Sequence, residues 1–161
     1  MNKWRHDLAL ARRLEPLVDT LAGWVMDMNL LSTGVELGQG WEVDEHSKPH
    51  QFDLLQTAAE QAECGEVVCA YLCYQIARTP KGHGWRYRKG GEKVLKIIER
   101  DLKDEANKIA YKVAEDLRGK GASPTDDEKA RAWILLIRQY VGCLGRCFKQ
   151  RRREFEEERS Q

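Results

Sequence analysis

Between residues 78 and 91 the chain reads Arg-Thr-Pro-Lys-Gly-His-Gly-Trp-Arg-Tyr-Arg-Lys-Gly-Gly. Five cations (Arg78, Lys81, Arg86, Arg88, Lys89), His83 and two aromatics (Trp85, Tyr87) stand among four glycines and Pro80. No helical or strand period fits the stretch, so it reads as a loop. Positive charge interleaved with flat rings suits a nucleic acid, whose phosphates attract cations and whose bases stack on aromatics. Trp85 and Tyr87 have two available roles, stacking on a base or anchoring the loop to the core.

The charge continues past the loop. Lys89, Lys93, Lys96 and Arg100 recur at helical spacing and form one stripe, interrupted in sequence by Glu92 and Glu99. Arg138, Arg146, Lys149 and Arg151–Arg152–Arg153 form a second basic track near the end of the chain. A polyanion lying across two helices would meet both. Lys81, Trp85, Arg86, Tyr87, Arg88, Lys89, Lys93, Lys96, Arg138 and Arg146 are the candidate contacts.

Other chemistry is thinly supported. Cys69 and Cys73, and Cys143 and Cys147, are pairs four residues apart on helical stretches. Four thiolates could take zinc, but such ligands normally sit two to four apart across a turn. The simpler reading is small buried hydrophobes. His46 and His50 are four apart in a proline-containing loop, without a His-Glu-x-x-His pattern. The glycines around His83 do not space as a phosphate loop, and no glutamate has a histidine three residues later on a helix. No metal, no cofactor and no catalysis are therefore expected.

The elements that would carry these residues are helical. Trp4, Leu8, Ala11, Leu14, Leu17, Leu21 and Trp24 predict a helix over 3–30, kinked near Leu14–Glu15 by Pro16. Residues 31–51 lose the period and read as a long loop with Trp41 as its apolar anchor. A second helix spans 52–78, with Phe52, Leu55, Ala59, Ala62, Gly65, Val68, Leu72 and Ile76 as its stripe. Its small residues invite close approach and suggest a central position. A third spans 92–118 and ends at Gly119. A fourth starts at Thr125, with Glu128 three residues on as a capping box. This is an all-α chain, a single-domain four-helix bundle over 1–150 with a charged tail over 151–161.

Composition sets the outer bounds. The 161 residues are 33% charged with a net charge of +1. That balance hides two sides. Residues 1–80 hold six Lys/Arg against twelve Asp/Glu, net −6, and residues 81–161 hold twenty-one against fourteen, net +7. Such a split suits a basic surface for a polyanion and an acidic one for a basic neighbour, a further copy of the chain included. No apolar run approaches a membrane span, no signal region opens the chain, and five cysteines form no secreted framework. A cytoplasmic setting without a membrane partner is expected.

Three features resemble the small all-helical subunit of type III CRISPR effector complexes. They are Tyr71-Leu72-Cys73-Tyr74-Gln75-Ile76-Ala77-Arg78, the cationic loop behind it, and Trp133-Ile134-Leu135-Leu136-Ile137-Arg138-Gln139-Tyr140 in the last helix. The resemblance covers residues 52–150. It implies a non-enzymatic subunit of a ribonucleoprotein complex of antiviral defence, stacked head-to-tail along a guide–target duplex and touching phosphates. The alternative is a protein-interaction bundle, an adaptor or inhibitor, that binds no nucleic acid.

Overall fold

The computed structural model describes residues 3–17, 50–82 and 84–161. The predicted continuation of the first helix to residue 30, the predicted 31–51 loop up to residue 49 with Trp41 and His46, and His83 lie outside the described residues; the last two residues of that loop, His50 and Gln51, are helical instead. Within them the chain is all-helical, with no strand.

Helix α1 runs Lys3–Leu14 and gives way to a 3₁₀ turn, Glu15–Leu17. Pro16 lacks the N–H that the next α turn needs, which places the change where it occurs. The buried face of α1 differs from the expected one. His6, Leu10 and Leu14 face inward, while Trp4 is 60% and Leu8 45% exposed.

The helix predicted over 52–78 is two helices, α2 (His50–Gln61) and α3 (Gly65–Arg78). Two long-range contacts explain the break. Arg138 donates from Nε to the Ala59 carbonyl (2.9 Å) and from Nη2 to the Ala62 carbonyl (3.1 Å), capping the end of α2. Gly65 opens α3 directly beneath the Trp133 indole, where a Cβ would stand 2.4 Å from the ring. Despite the break the inward stripe is as read, with Phe52, Leu55, Ala59, Ala62, Val68 and Leu72 all buried.

The stretch between α3 and the next helix is also more ordered than a loop. Gly84–Lys89 form a 3₁₀ segment. Helix α4 then runs without interruption through Gly90–Lys96, a π-wound segment Ile97–Leu102, and Lys103–Arg118. A π turn lets an i→i+4 bond go unmade. The Ile98 carbonyl, within this segment, accepts from Trp133 Nε1 at 2.9 Å. Gly119, with φ of 100°, ends the helix.

Helix α5 is Asp126–Ser160. Its start is the capping box: the Glu128 N–H donates to Thr125 Oγ1 at 3.2 Å. Ala132, Trp133, Leu136, Ile137, Tyr140, Val141 and Leu144 are buried, so its middle is enclosed on more than one side. It packs against α2, α3 and α4. The centre of the fold is thus α5, not the 52–78 stretch. Helix α1 leans on the last segment of α4, tied by a two-bond Arg13–Asp116 pair at 2.9 and 2.8 Å.

Candidate nucleic-acid interface

The 3₁₀ segment is held from below by Trp85. This side chain is only 4% exposed and meets the Phe52 ring edge-on, with centroids 5.1 Å apart. Phe52 in turn lies 4.5 Å from Phe148 on α5. Trp85 therefore takes the anchoring role and is closed to base stacking. Gly91 completes the clamp, since a Cβ there would come within 2.8 Å of the Trp85 carbonyl and 2.7 Å of Ile76 Cγ1.

Arg86 is also less available than its sequence context implies. It is half-buried and donates from Nη1 to the Thr79 carbonyl at 3.3 Å, across the turn. Thr79 itself is buried, its hydroxyl donating to the Gln75 carbonyl at 2.6 Å. The side chains of Tyr87 and Arg88 lie outside the described residues.

The remaining predicted cations are in the open. Lys81, Lys89, Lys93 and Lys96 are exposed, as is Arg100. None of the five has an ion pair with a described residue. Lys93, Lys96 and Arg100 sit at i, i+3 and i+7 on α4, opposite the buried Gly91, Val94, Ile98 and Leu102. Over 78–100 the chain holds eight Lys/Arg against two Glu. Lys89 adds a conformational sign. It is the one described non-glycine residue with positive φ, at φ 59° and ψ 29°, and it forms the N-cap of α4.

The second basic track does not join them as expected. Arg138 is half-buried and holds the α2 carbonyls described above through Nε and Nη2, which gives it a structural capping role. Lys149 pairs with Asp53 at 2.7 Å. Arg146 is exposed, and its guanidinium lies back along its own helix, 3.4 Å from where a Gly142 Cβ would stand.

Of the four helix cysteines two are core, while Cys73 is exposed and Cys147 half-buried. Cys69 and Cys143 are buried and free, and burial pushes each thiol up to about 11. Among the described residues no group of three or more His, Cys, Asp or Glu is placed to hold a metal ion. No described helix is long and apolar enough to cross a membrane. A separate concavity of about 500 Å³ is lined by Lys3, His6, Asp7, Asp127, Glu128 and Arg131, where Arg131 Nε meets Asp7 at 3.2 Å.

Sequence reasoning passed over Tyr74 on α3. It is 62% exposed, with the Arg78 guanidinium 5.7 Å from its ring centroid. The signal was there: Tyr74 falls off the apolar stripe, one turn before a cation. Comparison with protein-family models, curated proteins and solved structures gives no match for this chain.

Proposed function

We propose that the protein is a non-enzymatic helical subunit that binds a nucleic acid through its backbone, within a ribonucleoprotein assembly of the CRISPR type. One observation supports the binding more than any other. Lys81, Lys89, Lys93, Lys96 and Arg100 stand exposed without acid partners among the described residues, along one stretch fixed to the core by Trp85. Lys149, by contrast, is paired within the fold, with Asp53. Unpaired cations on a helix face attract an anion, and their regular spacing favours a repeating one. Contacts of this kind are indifferent to base sequence.

The test is a salt titration of oligonucleotide affinity. Replacing Lys93, Lys96 and Arg100 together by Gln should reduce the slope of log affinity against log salt by roughly two, since each phosphate contact contributes about 0.7–0.9. All three are exposed, so the fold should survive. An unchanged slope removes α4 from the reading.

The alternative, a protein-interaction bundle, has its own observation in the exposed Trp4 and Leu8 of α1. Contiguous apolar residues on a helix face suit a protein partner. The same titration separates the two, because an interaction bundle shows no salt-dependent oligonucleotide binding at all.

A further inference from the structure

Helix α1 packs on the last segment of α4 and touches α5 only lightly, so a groove runs between α1 and α5. Its first part is the concavity of about 500 Å³, a size usual for small-molecule sites. His6 lines it and is only 7% exposed, and its Nε2 is enclosed without a hydrogen-bond partner. A buried ring nitrogen left unpartnered weakens the fold, and an apolar side chain would fill the same place at no such cost.

The charges around His6 are unevenly satisfied. Glu128 is held by two bonds from Arg118, and Asp7 by Arg131 Nε at 3.2 Å. That bond uses one donor of the Arg131 fork, and its two Nη groups have no partner among the described residues. Lys3 and Asp127 are exposed and have no ion pair among the described residues. The concavity therefore offers two cations, Lys3 and Arg131, and one carboxylate, Asp127. A lone anion would be repelled by Asp127, and a lone cation by Lys3 and Arg131. A molecule carrying both charges meets a partner for each.

The groove continues past the Asp7–Arg131 pair into a second concavity of about 330 Å³. Ala11, Leu14 and Leu135 give it apolar walls. Gln139 also lines it, and its enclosed Oε1 has no partner either.

We infer that this groove is a binding site for a free aliphatic α-amino acid. The ligand carboxylate lies on Lys3 and the Arg131 fork, whose geometry suits a planar carboxylate. The ammonium lies on Asp127, above the His6 ring that floors the site. The aliphatic side chain turns toward Ala11, Leu14 and Leu135. The end of a peptide or protein brings one of the two charges without the other, so it fits less well.

Calorimetric titration of the full chain with L-leucine, L-valine and L-methionine tests the inference. Isoamylamine and isocaproate, which keep the leucine side chain and one charge each, are the controls. At least one of the amino acids should bind one-to-one, and L-leucine should exceed both controls by roughly fivefold or more. Asp127→Asn should weaken L-leucine roughly three- to fivefold and leave isocaproate no weaker. Lys3→Gln should weaken L-leucine and isocaproate and leave isoamylamine no weaker. Both side chains are exposed, so the fold should survive either change. Absence of binding by all three amino acids at millimolar concentration overturns the site. A control that binds as well as L-leucine overturns the pairing of both charges. Unchanged L-leucine affinity in both variants puts the binding elsewhere and overturns the assignment to this groove.

Discussion

At the scale of single residues, Lys89 separates stability from binding most clearly. A lysine in the left-handed region costs about 1–2 kcal/mol relative to its ordinary conformation. Glycine adopts that region freely but loses more entropy on folding, which offsets about 0.5–1 kcal/mol. Lys89→Gly should therefore be slightly more stable, by up to about 1 kcal/mol, in thermal melts. The same change removes a cation from the proposed surface and should lower the salt slope by about one. A variant that is more stable and binds less tightly would show that strain is kept here for the ligand. Lost stability would show instead that the Lys89 stem packs usefully. Individual side chains were only partly legible in the sequence. The charge of Lys93 and Lys96 was visible, and so was their common face. The fate of Trp85 and Arg138 was not, because each is decided by a distant partner: Phe52 for the ring, the Ala59 and Ala62 carbonyls for the guanidinium.

At the scale of elements, Trp133 joins three of them. Its indole rests on Gly65 at the start of α3, donates to the Ile98 carbonyl in the π segment of α4, and lies beneath the Lys103 ammonium at 4.6 Å. This explains two features that periodicity missed. Residues 62–64 hold no proline and read as continuous helix, yet the chain breaks so that Gly65 can pass under the ring. Residues 97–102 read as an ordinary α turn, yet they widen to a π turn where the Ile98 carbonyl accepts from the ring nitrogen. Where periodicity alone decides, as in Val94, Ile98, Leu102, Ala106 and Val113, the inward face was legible, and all five are buried. The phase of α1 was not. Trp4 and Leu8 outweigh His6 on any hydropathy argument, yet His6 faces inward and they do not. The Trp133 joint makes a direct prediction. Gly65→Ala drives a methyl into the indole and should cost about 1–3 kcal/mol, the usual range for overpacking. In a chain of this size that lowers the melting temperature by roughly 2–4 °C per kcal/mol. In a Trp133→Leu background the same substitution should cost much less, and equal costs in both backgrounds would refute the steric account.

At the scale of the whole molecule, charge pairs close the fold and buried thiols line it, and the two set opposite ends of a pH window. Arg118 grips Glu128 through two bonds of 2.7 and 2.9 Å, fastening the end of α4 to the start of α5. This guanidinium holds the Glu128 carboxyl below its ordinary range, and the Thr125 backbone adds to the effect. Arg13 does the same to Asp116, fastening α1 to α4. A depressed carboxyl contributes stability above its unfolded value, near 4, and loses it as pH falls through the folded value. Burial acts in the other direction on Cys69 and Cys143, whose thiols rise to about 11. Their stabilising effect is complete below the unfolded value, about 8.5, and is lost as pH climbs toward 11, because the unfolded chain then gives up protons that the folded one keeps. Melting temperature should thus be flat from about pH 5 to 8.5 and fall on both sides. Glu128→Gln should melt a few degrees lower than the parent at neutral pH, with the gap closing as acid protonates the carboxyl. Cys69→Ala with Cys143→Ala should flatten the alkaline side alone. An alkaline fall unchanged in that double variant would mean the thiols ionise as readily in the folded chain as out of it, and would refute their part in the alkaline limit.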